Sequence, residues 1–390
     1  MKKKFTMISA LVAVLLIVGI IVIANGPYDE KGLEYTVNAD GVTCTITGVG
    51  SCRAKKINIP EYIDGYKVTA IGSNLFYSYC VRIDEDKEGP VYSKLKSITI
   101  PESVTSIGSG AFYGCDRLQE IVLPSGLKSL GNAVFYNCTG LKRADLPDTL
   151  ESLGDAVFYN CPSLETMTIP DSITRIGQGM FYDCQALTAV NFSENLTEIG
   201  DLAFYGCSSL TEFTVPDGVK RIGNWTFAHC TSMKKITVPD EITYIGERAF
   251  SSCVSLENFA IPSDVQEIGI YAFYECRKLT ALKLPDTLTT LGAHAFDTCR
   301  GLSSVELSDA LTEIGDRTFN SCGALESMTI PVSVKKLGSA ILASSGVKTV
   351  NYEGTVEQWN AMEKDSTWFS VTGLTEVVCS DGTVTLKTTE

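Results

Sequence analysis

Val238-Pro239-Asp240-Glu241-Ile242-Thr243-Tyr244-Ile245-Gly246-Glu247-Arg248-Ala249-Phe250-Ser251-Ser252-Cys253-Val254-Ser255-Leu256 is one pass through a pattern that fills most of this chain. Its cysteine belongs to a series, Cys115, Cys138, Cys161, Cys184, Cys207, Cys230, Cys253, Cys276, Cys299 and Cys322, each 23 residues after the last. A fixed interval in this range signals stacked repeats. Phenylalanine precedes each of these cysteines by three residues, from Phe112 to Phe319, and leucine, or Met233 once, follows by three, from Leu118 to Leu325.

Each part of the pattern has a physical reading. The Leu-x-x-Ile-x-Ile piece alternates apolar and polar residues and reads as a short strand with one buried face. Proline closes the strand, because it has no N–H to donate to a ladder; Ser193 and Ser308 replace it in two repeats. The glycine of the Ile/Leu-Gly pair suits a tight corner with positive φ. The x-Ala-Phe-x-x-Cys piece reads as one short helical turn. A single 23-residue coil cannot bury its own apolar row, but stacked coils cover one another.

The run Ile-Pro-x-x-Val/Ile-x-x-Ile-Gly-x-x-Ala-Phe-x-x-Cys-x-x-Leu resembles the BspA-type leucine-rich repeat family of bacterial surface proteins, over roughly residues 57–352. Proline stands where the commoner leucine-rich repeat has asparagine. The resemblance implies an α/β-type repeat solenoid of 23-residue period, with short parallel strands, short helical or 3-10 turns and a cap at each end. It also implies, for some relatives, adhesion to host or matrix proteins.

Four segments follow. Residues 1–26 read as a signal peptide or signal anchor, 27–70 as a linker and N-terminal β cap, 71–352 as the solenoid and 353–390 as a C-terminal cap. The first segment has three lysines and then an apolar run, residues 7–24. That run is longer than a usual signal core and close to a membrane span, so an uncleaved transmembrane helix and a cleaved signal peptide both stay open. Either way the positive-inside rule places the remainder outside the membrane, anchored through that run if it is uncleaved and otherwise secreted or at the cell surface. A hairpin is expected around Asn38-Ala39-Asp40-Gly41, with Cys44 and Cys52 either bridged or free. An insertion after Cys80 holds Asp84-Glu85-Asp86-Lys87-Glu88-Gly89-Pro90, which reads either as a solvated loop or as an insertion that carries specificity, with too few ligands for calcium. Near the other end, Trp359 and Trp368 suit a lid over the last coil, and a hairpin is expected to turn at Ser380-Asp381-Gly382.

The formal charge is −14 and includes three lysines within residues 1–26, so the rest carries −17. This argues against nucleic acid, whose phosphates need a basic stripe. No cofactor, metal or catalytic set is expected: there are two histidines, His229 and His294, at different repeat positions, and no P-loop, G-x-S-x-G or Cys-x-x-Cys. The ten periodic cysteines read as buried, reduced small hydrophobes, because in-register Cβ atoms at strand spacing lie somewhat beyond the usual disulfide range.

Two surface rows remain. Exposed mid-strand positions are often threonine, which suits sheet propensity or, alternatively, a hydroxyl-rich sheet that meets a partner. Next to the phenylalanines runs a tyrosine row, Tyr113, Tyr136, Tyr159, Tyr182 and Tyr205, preceded by Tyr77 and ending at Ala228. Tyrosine offers contact area and a hydroxyl, so the row is the candidate stripe for a protein or glycan partner, and packing between coils is the competing reading. The expectation is therefore a non-enzymatic extracytoplasmic binding or adhesion module, the alternative a structural spacer or envelope component without a dedicated ligand.

Overall fold

The computed structural model describes residues 21–23, 32–49, 55–77, 82–83, 90–91, 95–369 and 373–386. The chain divides into two compact units, Met1–Ile173 and Thr174–Glu390. Residues 7–20 of the apolar run, Cys52, Cys80 and residues 84–89 of the insertion lie outside the described residues. Ile21–Ile23 is drawn as a strand antiparallel to Glu34–Thr36. Among the described residues no helix is long and apolar enough to cross a membrane.

Within each unit the 23-residue period becomes the register of parallel strands. In the first unit Glu120–Val122 pairs with Arg143–Asp145, so that Ile121 faces Ala144. In the second, Glu212–Thr214 pairs with Lys235–Thr237, and Phe213 faces Ile236. The alternation read from the sequence is the burial pattern of these strands, exposed–buried–exposed.

A second row of strands was not anticipated. The residue pair before each repeat glycine is itself a two-residue strand: Ser106–Ile107, Ser129–Leu130 and Ser152–Leu153 pair in parallel in the first unit, and Arg221–Ile222, Tyr244–Ile245, Glu267–Ile268 and Thr290–Leu291 in the second. The glycines that follow have no positive φ, contrary to the corner expected from the sequence. Their role is close approach. A Cβ on Gly131 would lie 2.5 Å from the Ser109 nitrogen, and one on Gly269 2.6 Å from the Glu247 nitrogen, in each case backbone of the preceding coil.

The segments expected as short helical turns are hydrogen-bonded turns instead. Two positions per coil take left-handed φ: one at Gly110, Ala133 and Ala156 in the first unit and Trp225, Arg248, Tyr271 and His294 in the second, the other at Gly114, Asn137 and Asn160 and at Asp183, Gly206, His229, Ser252 and Glu275. Left-handed residues break a helix. They also turn alternate N–H groups along the stack: those of Gly110, Phe112 and Gly114 donate to the carbonyls of Asn132, Val134 and Tyr136 at 2.8, 2.9 and 2.7 Å. The turns are thus a third hydrogen-bonded row. The one helix with both ends described, Val356–Ala361, starts at a capping box made by Thr355 and Gln358.

Larger side chains and antiparallel hairpins stand at the two ends of the described repeats. At the start, Glu34–Val37 and Thr43–Gly48 form an antiparallel hairpin whose second strand pairs in parallel with Tyr66–Ile71. At the end, Trp359 is 1 % exposed, with its ring 5.6 Å from Trp368 and 5.3 Å from Tyr352. Glu376–Cys379 and Gly382–Thr385 close the second unit as an antiparallel hairpin.

Candidate functional site

The ten periodic cysteines are all buried, and none is in a disulfide. Their surroundings give them a task beyond filling space. The thiol of Cys138 donates to the carbonyl of Phe112 at 3.1 Å, and that carbonyl also accepts the Cys115 N–H of its own coil at 3.1 Å. In the second unit Cys230, Cys253, Cys276 and Cys299 donate in the same way to Phe204, Phe227, Phe250 and Phe273, at 3.1 to 3.2 Å. Each thiol therefore satisfies the second lone pair of a buried carbonyl in the preceding coil. Burial pushes the Cys253 thiol up to about 12 and those of Cys207, Cys230, Cys276 and Cys299 well above the ordinary range. Protonated, inaccessible thiols are not nucleophiles.

The phenylalanines stack beside them. Phe112 and Phe135 lie 5.4 Å apart at 8° in the first unit, and Phe204, Phe227 and Phe250 follow at 5.4 and 5.6 Å in the second, each nearly parallel.

The tyrosine row is stacked and half-buried. Tyr113 and Tyr136 lie 4.8 Å apart at 5°, and Tyr136 and Tyr159 4.4 Å apart at 3°. In the second unit Tyr182 and Tyr205 lie 4.4 Å apart at 4°. The row does not end at Ala228; it changes its source. Planar side chains now come from the left-handed position three residues earlier in the coil. Tyr205 is 6.0 Å from Trp225, the Arg248 guanidinium lies 4.6 Å from the Trp225 ring centre and 4.4 Å from that of Tyr271, and Tyr271 stacks on His294 at 4.3 Å. Where the later tyrosines are missing, these groups cover the small residues beneath them: Ala228 and Ser251 are buried. Beside Tyr113, Tyr136 and Tyr159 the same left-handed position is small, at Gly110, Ala133 and Ala156, whereas Leu202 precedes Tyr205 and Tyr271 precedes Tyr274. Trp225, Arg248, Tyr271 and His294 keep the 23-residue interval, which is the signal that could have revealed them.

Tyr136 is stacked on both sides, by Tyr113 and Tyr159, and Tyr271 has Arg248 and His294 against it. What remains is the ring edge and the polar tip. Burial, then the neighbouring phenols, raise the Tyr113 hydroxyl above its usual range, and burial followed by Tyr182 does the same at Tyr205.

The two histidines occupy different turn positions. His229 meets Tyr205 edge-on at 5.1 Å. His294 Nδ1 lies 2.9 Å from Asp297 Oδ2, a carboxyl only 4 % exposed that also accepts from Thr298 and Asn320. Asp297 is thereby committed to orienting an imidazole already stacked on Tyr271. Among the described residues no group of three or more His, Cys, Asp or Glu side chains could hold a metal ion. Surface depressions on the strand faces, such as one lined by Glu120, Lys142, Arg143, Asp145 and Glu165, draw on adjacent coils only.

Comparison with known proteins places this geometry. A leucine rich cell surface protein of Faecalibacterium prausnitzii A2-165 is 29 % identical, with 88 % of this chain and 98 % of that one covered and a TM-score of 0.58. A leucine-rich repeat protein of Bacteroides ovatus ATCC 8483 is 26 % identical, with 86 % and 97 % covered and a TM-score of 0.66. No curated protein sequence matches the chain. The BspA type leucine rich repeat region matches residues 91–208, 151–274 and 243–366, which together span most of the sequence, and the chain belongs to that family.

Proposed function

We propose that this protein is a non-enzymatic binding module of the bacterial cell exterior, and that the planar column is its contact surface. The observation that carries the reading is that the coil does not need the column. In the last coil both contributing positions are alanine, Ala340 and Ala343, and its strand Lys336–Leu337 still pairs with Glu313–Ile314. Elsewhere the chain places half-exposed tyrosine, tryptophan, arginine and histidine there, residue types that favour interfaces. The exterior location is supported by the similarity to a cell surface protein.

Because ring faces are spent on one another, a sugar ring has no free aromatic face to lie on inside the column. Ring edges and hydroxyls suit hydrogen bonding to a polypeptide. A protein partner is therefore favoured over a glycan.

The spacer reading is favoured by the near-parallel stacking itself, which a purely structural column would also show. Replacing Tyr113, Tyr136 and Tyr159 together by serine separates the two, with binding measured by surface plasmon resonance against immobilised matrix proteins and cell-envelope polysaccharides. Lost protein binding with an intact circular dichroism spectrum supports the module. Unchanged binding with a lowered melting temperature supports the spacer.

A further inference from the structure

The thiol column has a consequence for how the chain reaches its fold. In the native state the sulfurs of Cys115, Cys138, Cys161 and Cys184, and those of the six cysteines after them, have no solvent exposure. Six of the S–H groups of the second unit, those of Cys207, Cys230, Cys253, Cys276, Cys299 and Cys322, donate to phenylalanine carbonyls. In the unfolded chain the same ten thiols, with four more, are ordinary, accessible cysteines, separated by flexible loops of a length that closes readily. A disulfide between any two removes two S–H donors, leaves two buried carbonyls short of a partner and ties coils together out of register. A sulfenic acid adds an oxygen where the interior is closely packed.

We propose that the thiol column makes folding a one-way redox gate: the reduced chain folds and then resists thiol oxidants, whereas a chain oxidised before folding cannot close its coils. The protein is accordingly built to mature before a disulfide-forming catalyst reaches it. Burial also raises the Cys253 thiol, which keeps it protonated and so acts in the same direction as its inaccessibility.

The test uses the full chain and diamide, an azo oxidant. Two S–H bonds break, one S–S bond forms, and both protons and two electrons pass to the N=N bond, giving the hydrazine. One sample is treated folded, a second in 8 M urea (about the usual unfolding limit) and then diluted. Free thiols are counted with Ellman's reagent and folding is read by far-UV circular dichroism. The folded sample is expected to lose its column thiols at least about a hundredfold more slowly than the unfolded one. The sample oxidised in urea is expected not to regain its spectrum until dithiothreitol is added. Equal reaction rates, or full refolding of the oxidised chain, overturn the proposal. Replacing Cys44, Cys52, Cys80 and Cys379 by serine must leave the behaviour unchanged; a variant that refolds after oxidation would assign the gate to those four and sink the idea. Should that variant not fold, disulfide mapping of the oxidised natural chain decides, since bridges confined to the same four residues overturn it equally.

Discussion

Gly246 and Gly179 offer a test in which conformational intuition and packing disagree. Gly179 has φ +58°, the region that favours glycine, and Gly246 does not. On that ground alone alanine should be worse at Gly179. The structure argues the reverse. A Cβ on Gly246 would lie 2.6 Å from the Gly223 carbonyl carbon and 2.7 Å from the Asn224 nitrogen, both backbone of the preceding coil. Restoring an ordinary 3.4 Å contact requires the coils to part by about 0.8 Å. The Gly246 N–H donates to Ile222 at 2.9 Å, and a displacement of that size takes the bond beyond hydrogen-bonding range. Losing two or three such bonds at about 1 kcal/mol each, with the dispersion forfeited across the gap, amounts to about 3 kcal/mol or more. At Gly179 the same place in other coils already holds Ala133 and Ala156, both at φ 54°. The left-handed cost there is about 1 kcal/mol, partly offset by a stiffer unfolded chain. Urea denaturation by far-UV circular dichroism should therefore separate the variants by about 2 kcal/mol. Hydrogen exchange at neighbouring amides should show the Gly246→Ala loss centred on its own coil. If Gly179→Ala destabilises as much as Gly246→Ala, the close-approach account of the repeat glycine fails.

Other outcomes follow from the same contacts. Because the buried thiols hold their protons above the unfolded value of 9.0, the folded state binds more protons at alkaline pH; stability should fall from about pH 9 towards pH 12, by up to about 1.4 kcal/mol per pH unit for each thiol, as read by urea melts across that range. Tyr113 and Tyr205 act with the same sign above pH 10. Phe227→Ala should cost about 3–5 kcal/mol in the same assay, at the upper end because Phe227 stacks on Phe204 and Phe250 and meets Phe213 edge-on at 4.9 Å. Trp359 and Trp368 are buried at 1 and 3 % exposure, so acrylamide should quench mainly Trp225; Arg248→Met should strengthen that quenching and lower stability by about 1 kcal/mol through the lost cation–π contacts.

The interior of the coil was legible because each of its positions repeats one residue type. Cys, Phe and Leu at fixed offsets fix which side chains point inward, and the strand register follows from the period without further information. The glycine was misread because its reason lies in another coil: nothing near Gly131 in sequence shows that the Ser109 backbone will lie where its Cβ would be. The turn was misread because alanine, phenylalanine and cysteine in a row fit a helix, while Ala133, one of the residues that prevent one, carries no sequence mark of left-handed φ, and the mark that Asn137 and Gly114 carry at the second position was not counted. The column was half legible. Counting tyrosines stops at Tyr205, whereas counting planar groups continues through Trp225, Arg248, Tyr271 and His294.

That difference bears on where function is to be sought. Positions dictated by the coil carry no information about a partner, because the fold would demand them in any case. The exposed strand faces are occupied by ion pairs one coil apart, such as Lys128 with Glu151 and Lys336 with Glu313, both at 2.8 Å; pairs of this kind contribute little and cancel charge locally. The turn column is different in kind. Holding a bulky side chain at left-handed φ costs about 1 kcal/mol that glycine would avoid. The second unit does so in successive coils with Trp225 at 58°, Arg248 at 51°, Tyr271 at 58° and His294 at 58°, and adds a buried Asp297 to fix the imidazole. Stacking offsets that cost, at about 0.5–1.5 kcal/mol for each contact, but the coil at Ala340 and Ala343 closes without either term. A row of side chains that the fold does not require is the surface on which a partner should be tested first.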